Sequence, residues 1–218
     1  MRHTFNKSDY TRLLGLTLHT EEDLKDYIKD NYNCPSDIII SAEEITFKTK
    51  GPSVNVKPSQ IREIEKIHNV NENYKETIDL CLEILKKSPF HIMINLFLCN
   101  AFFNIRDFDN AIKHGLQALK FDIKDMAIIT LIGRAFFHKG DKPTAMIYWN
   151  EVYKLSESNA EYLKFIGSDL VSSKFYTDGD RFFKRSLKIN PNCEVTLMFK
   201  RQALMIALNP NMSSIAYN

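Results

Sequence analysis

The residues of this 218-residue chain that could do chemistry are scattered, and their spacing forms no known catalytic arrangement. His114 stands with Lys113 and Gln117 on what reads as a solvated outer helix face. His138 precedes Lys139 at an expected helix end, where a cation suits the helix dipole. His68 and His91 fall near helix ends and read as surface residues, while His3 and His19 lie outside the regular part of the chain. Asp107 and Asp109 flank Phe108, and Asp178 and Asp180 flank Gly179; carboxylates at helix starts accept hydrogen bonds from free N–H groups. Cys34, Cys81, Cys99 and Cys193 include no CxxC pair and have no histidine at ligand spacing, so neither a zinc site nor a disulfide framework is expected. Cys81 and Cys99 read as small, inert packing residues. GxSxG, P-loop, GxGxxG and HExxH patterns are all absent. The expectation is a non-enzymatic protein with no catalytic residue, metal or cofactor.

Composition narrows the classes further. With 44% apolar and 26% charged residues the chain can build a packed core, and no run approaches the ~18 to 20 apolar residues of a membrane span. The first ten residues carry no apolar stretch of the secretory kind, which places the protein in the cytoplasm by default. A net charge of +2 gives no electrostatic case for nucleic acid. The one basic stripe, Arg181, Lys184, Arg185 and Lys188 with Lys200 and Arg201 beyond it, is diluted by Asp178, Asp180 and Glu194. It reads as a solvated convex face.

The elements that would position a site follow an internal period. Ala111, Ala145 and Gly179 are spaced 34 apart, and one further step back reaches Thr77. Tyr74, Phe108, Lys142 and Tyr176 stand three residues before these positions; Glu65, Cys99, Gly133 and Gly167 stand twelve before. Pro89 and Pro191 lie three periods apart. Each unit reads as a helical hairpin. Ile94, Leu98, Ala101, Phe102 and Ile105 form one helical stripe, Arg106-Asp107 break it, and Phe108, Ile112, Leu116 and Leu119 form the second. The next unit turns at Lys139-Gly140-Asp141, where Gly140 can take a positive φ. Helix-stopping Leu187 to Asn192 closes the last.

On Cys99, Phe108, Ala111 and Ala118, on Gly133 and Ala145, and on Gly167, Gly179 and Leu187 to Asn192, the chain resembles the tetratricopeptide-repeat family. The resemblance implies a mostly α fold, a helical-hairpin solenoid with units 58–91, 92–125, 126–159 and 160–193. A capping helix from Glu194 to Leu208 and a tail over 209–218 would complete it. Glu65 and Thr77 depart from the small residues that the family favours, and Lys200 and Arg201 suit a cap with one wet side.

The same resemblance places a concave face on the first helix of each unit. The binding positions it implies are Arg62 and Lys66, then Phe97, Asn100 and Phe103, then Arg134, Phe137 and His138, then Phe165, and finally Phe199 and Gln202 on the cap. Each phenylalanine could bury ~150 to 250 Å², enough to demand a cover. Three covers are open: an apolar extended or helical segment of another protein, the neighbouring helices of the solenoid itself, or the segment 1–57. Arg62, Lys66, Asn100 and Arg134 partly echo the clamp by which some relatives hold a terminal carboxylate, but Leu96, Phe97 and Thr130 interrupt it. The apolar face is more similar to repeats of bacterial secretion chaperones and assembly proteins.

Before residue 58 the period fails. Thr20 with Glu21, Glu22 and Asp23 starts a helix carrying Leu24, Tyr27 and Ile28. Ile38 to Ile40, then Ile45, Phe47 and Thr49, the Gly51-Pro52 turn, and Val54 with Val56 read as short strands. Arg12 to Leu18 fits a strand or a helix. Residues 1–57 are thus expected to form a small α+β module packed on the first repeat, as an end cover, a second interaction surface or a strand-pairing edge. The functional expectation is a scaffold or chaperone for an apolar partner segment. The alternative is a structural subunit of a bacterial machine, flagellar or secretory, that forms homo-oligomers through its ends.

Overall fold

The computed structural model describes residues 2–16, 20–32, 35–48, 56–88 and 91–208. The Thr49 strand end, the Gly51-Pro52 turn, Val54, His19, Cys34, Pro89 and the tail 209–218 lie outside the described residues. Two compact units are present, Met1–Lys142 and Pro143–Asn218.

The first unit begins with strand β1 (Arg2–Asn6) and helices α1 (Lys7–Leu13) and α2 (Glu21–Asn31). Strands β2 (Ser36–Ile40) and β3 (Glu44–Lys48) complete an antiparallel sheet of order β1-β3-β2. Thr20 starts α2 as expected: its hydroxyl accepts from the Asp23 N–H at 3.1 Å and the Asp23 carboxylate accepts from the Thr20 N–H at 2.8 Å. Of the ambiguous segment Arg12 to Leu18, Arg12 and Leu13 close helix α1, which starts on the Asn6 cap, while Thr17 and Leu18 lie outside the described residues. Strand β1 has too short an apolar alternation, His3 and Phe5, to be visible without its partner Phe47. These residues bury Tyr10, Leu13, Leu24, Ile28, Tyr32, Ile45 and Phe47.

Four helices of the repeats follow, α3 (Pro58–Asn69), α4 (Tyr74–Lys87), α5 (Ile92–Asn104) and α6 (Phe108–Leu119), and then α7 (Met126–Lys139). Asp107 caps α6 by accepting the Asn110 N–H at 3.2 Å, and Asp125 caps α7 through the N–H groups of Ala127 and Ile128. Gly140 ends α7 with φ +100°. The core of these helices joins Ile64, Ile78 and Cys81 to Ile94, Leu98, Ala101, Phe102, Ala111 and Ile112. Cys99 and Ala111 are fully buried, as small residues at a close helix crossing should be.

The amino-terminal module docks on the end of the second hairpin, a contact that the expected packing on the first repeat did not include. The Tyr32 hydroxyl donates to the Lys120 carbonyl at 2.6 Å, and the Lys120 ammonium donates to Asn31 at 2.6 Å and Gln117 at 2.9 Å. His3 lies among Phe5, Phe47, Tyr32 and Phe121. Lys120 and Phe121 lie beyond the last turn of a second helix, where the repeat pattern offers no apolar position to read.

The second unit holds α8 (Lys142–Leu155), α9 (Glu161–Ser172), α10 (Tyr176–Ile189) and α11 (Glu194–Leu208). Trp149, Leu163, Ile166, Phe182 and Phe183 are fully buried in it. Gly179 lets α9 and α10 meet: a Cβ there would lie 2.5 Å from a Val171 methyl and 2.9 Å from the Gly167 carbonyl oxygen. The basic stripe is partly absorbed by this packing. Arg181 donates to Asn150 at 2.7 Å and lies over Tyr153 and Phe182, Arg185 donates to the Ser156 carbonyl, and Lys184 pairs with Asp180.

Candidate functional site

The 34-residue period puts equivalent positions on successive first helices, α3, α5 and α7 in the first unit and α9 and α11 in the second. One row is polar: Lys66, Asn100 and Arg134, then Ser168 and Gln202. Another is apolar: Phe97 and Leu131, then Phe165 and Phe199. Helix geometry at i, i+3 and i+4 lays these rows side by side on one face of each helix.

In the first unit the expected aromatic stripe is largely closed. Phe97 is 9% exposed and Phe137 8%, so neither is an open pocket. Phe97 belongs to the core cluster and meets His68 edge-on at 5.7 Å, and the same imidazole meets Tyr74 at 5.3 Å. His68 is itself buried, contrary to its surface reading, and burial lowers its pKa while a hydrogen bond that it donates to Asn100 partly opposes this. Phe103 is half-buried under the Arg134 guanidinium, 4.9 Å from the ring centre, and faces His138 at 5.5 Å. His138 stacks on Phe108 at 5.9 Å. Asn100 accepts from the Asn104 amide at 2.6 Å. Arg62, Lys66, Met93 and His138 are exposed on this face, with Asn100 and Arg134 half-exposed. Apart from Met93, the exposed side chains named on it are polar or basic.

The second unit differs. Phe165 is 46% exposed, with the Lys164 ammonium 5.1 Å above its ring and Lys164 paired to Glu161. Met198, one period after Lys164, is 55% exposed. Phe199 is half-buried against Val171, Phe183 and Ala203, and Gln202 is half-buried beside it on α11. Val195 and Met205, one period after Glu161 and Val171, extend the exposed apolar surface of α11. That period could have selected both from the sequence.

Some titratable residues are structural. His114 is buried, stacks on Phe102 and bonds Asn95 at 2.9 Å; burial, then Lys113, pushes its pKa down to about 4. This corrects the solvated face expected there, because Asn95 at the far side of the hairpin gives the imidazole a partner. Burial raises the Cys81 and Cys99 thiols to about 12, so both are inert. Lys120, which no sequence pattern singles out, is buried and lowered to about 8. Among the described residues no group of three or more His, Cys, Asp or Glu could hold a metal ion, and no helix is long and apolar enough to cross a membrane.

Solved structures with the same helical arrangement include TTC0263 of Thermus thermophilus, a thermophilic tetratricopeptide-repeat protein. It superposes with a TM-score of 0.54 at 12% identity, over 74% of this chain and 97% of that one. The chain has the tetratricopeptide-repeat fold. YrrB, a tetratricopeptide-repeat protein with an unusual peptide-binding site, matches at a TM-score of 0.52 and 14% identity over 73% of this chain and 90% of that one. The Cut9–Hcn1 hetero-tetramer of the APC/C gives 0.56 and 19% over 67% of this chain and 30% of that one. Among curated proteins, the DnaJ homolog subfamily C member 3 homolog of Dictyostelium discoideum is 24% identical over 145 residues, 61% of this chain. The chain spans 29% of that relative's length. No protein-family profile matches the chain. The tetratricopeptide-repeat hairpins thus carry two unlike first-helix surfaces, polar and basic on α3, α5 and α7, apolar on α9 and α11.

Proposed function

We propose that this protein is a non-enzymatic scaffold or chaperone that holds an apolar extended or helical segment of another protein on the first-helix face of its tetratricopeptide repeats. The observation that carries the reading is the exposure of Phe165 and Met198 on adjacent first helices, beside the polar side chains of Ser168 and Gln202. Large apolar side chains in the open gain by desolvation against a partner, and flanking amides and hydroxyls can bond its backbone. The peptide-binding site of YrrB supports the reading by analogy of fold. A cytoplasmic location belongs to the same proposal, since the free thiols of Cys81, Cys99 and Cys193 suit a reducing compartment.

The second reading, a subunit that assembles through its ends, draws on Leu204, Met205 and Leu208, all exposed on α11. Affinity capture from native cells, followed by mass spectrometry, separates the two. Phe165→Glu with Met198→Glu should remove the captured partners while far-ultraviolet circular dichroism stays helical. Retention of the same partners by the double variant refutes groove binding. Loss of self-association in Leu204→Glu with Leu208→Glu, with capture unchanged, favours the subunit reading.

A further inference from the structure

Helix α11 is a first helix with no second helix after it among the described residues, whereas α3, α5, α7 and α9 are each followed by one. On α9 the positions that the second helix closes are Gly167, Leu170 and Val171, all buried. Helix α10 stands directly over them: a Cβ on Gly167 would lie 2.6 Å from the Phe183 ring, and one on Gly179 would lie 2.5 Å from a Val171 methyl. One period later the same positions are Arg201, Leu204 and Met205, and a further turn adds Leu208. These four stand at i, i+3, i+4 and i+7 and share one stripe of the helix. Here the stripe is open. Leu204 is 47% exposed, Met205 60% and Leu208 84%, and Arg201 is exposed beside them. The opposite side of α11 is the docked one, with Thr196, Ala203 and Ile206 buried.

The charge of the stripe selects what can cover it. The period places Cys99, Gly133 and Gly167 where Arg201 stands, so small residues admit a second helix in the earlier hairpins and a cation occupies that point here. Neither Arg201 nor Lys200 has an ion-pair partner among the described residues. Covering Arg201 with apolar atoms alone would bury an uncompensated charge, so an occupant must bring a carboxylate to it. The chain from Arg201 onward, residues 209–218 included, contains no Asp or Glu. A second copy of α11 laid on the stripe about a twofold axis would set the two Arg201 side chains within a turn of each other.

We infer that this stripe takes an amphipathic helix of a partner protein, seated as α10 is seated on α9, with apolar side chains against Leu204, Met205 and Leu208 and an Asp or Glu against Arg201. The occupant is a helix because a helix covers the equivalent positions of α9, and it is acidic at its centre because Arg201 is unpaired. This surface lies apart from Phe165 and Gln202 and does not rest on the groove reading.

The test uses the full chain and a displayed library of sixteen-residue amphipathic helices, with Glu or Lys fixed at the centre of the apolar stripe. Glu-centred peptides should be selected and should lose at least tenfold in affinity when that Glu becomes Gln. Arg201→Glu should reject them and bind Lys-centred peptides instead, an exchange of preference that a folding defect does not produce. Leu204→Glu should weaken the Glu-centred peptides at least tenfold with the near-ultraviolet spectrum retained. A maleimide should label Leu208→Cys in the free protein as fast as an exposed thiol, and a selected peptide should slow it at least tenfold. The inference is overturned if no helix is selected, if Lys-centred peptides bind as well as Glu-centred ones, if Arg201→Glu fails to exchange the preference, or if Leu204→Glu leaves binding unchanged. Slow labelling in the free protein overturns it as well: protection independent of concentration shows the chain's own residues over the stripe, and protection that grows with concentration shows a second copy.

Discussion

Replacing Lys120 by Met probes the joint between the amino-terminal module and the repeats. Lys120 is 4% exposed, its ammonium bonded to Asn31 and Gln117 and 5.4 Å from the Tyr27 ring centre, and no carboxylate among the described residues pairs with it. Burial lowers its pKa from 10.5 to about 8. An unfolded chain therefore holds this proton more tightly than the folded one. Below pH 8 both states are protonated and the full penalty for burying the charge is present. Between pH 8 and 10.5 the folded state releases the proton first, and stability rises. At ~1.4 kcal/mol per pH unit the gain approaches about 3 kcal/mol. Tyr10, Tyr27 and Tyr32 act the other way above pH 10, because burial raises their pKa values above 10 and the unfolded chain ionises first. Urea unfolding of both proteins from pH 7 to 10 isolates Lys120, since the other groups cancel in the difference. At pH 7 the variant should be within about 1 to 2 kcal/mol of the parent, relief of the buried charge being offset by two unpaired amide oxygens. By pH 9.5 the parent should have gained about 2 kcal/mol on the variant. A difference that stays flat across this range refutes the buried, carboxylate-free site.

Gly179→Ala should destabilise the chain by about 1 to 2 kcal/mol in urea. The Gly167 carbonyl oxygen 2.9 Å from the new methyl is backbone and cannot turn aside, and this overpacking exceeds the ~1 kcal/mol that alanine gains in a helix. A gain in stability would show that α9 and α10 have room to spare. His114, lowered to about 4 from 6.5, contributes stability that disappears as pH falls from 6.5 towards 4, because the unfolded chain takes the proton first. His114→Gln keeps a donor for Asn95 and should flatten that acid limb by up to about 3 kcal/mol. An unchanged limb contradicts the assignment.

The hairpins are legible in the sequence because their signal is periodic: Ala111 and Gly179 occupy crossings where side-chain volume is limited, and that limit recurs every 34 residues. Gly140 and Asp107 are readable for local reasons, a positive φ and a helix cap. For Phe97 and Phe137 the sequence leaves open whether a partner or the solenoid's own helices cover them, because helical spacing gives a residue's direction and not what stands opposite. His68 meets Phe97, and only the fold brings it there. Phe165 escapes such cover and stays exposed. Strand β1 and the docking through Lys120 depend on contacts about 40 to 90 residues apart in sequence, between Phe5 and Ile45 and between Tyr32 and Lys120, which leave no pattern in either segment alone.

The central claim is that a partner segment lies on the first helices, and amide exchange of the full chain with and without a captured partner tests it most directly. The account predicts added protection within Glu161–Ser172 and Glu194–Leu208, with Phe165 and Met198 at its centre. Protection confined to the second helices, Tyr74–Lys87, Phe108–Leu119 and Tyr176–Ile189, would contradict it.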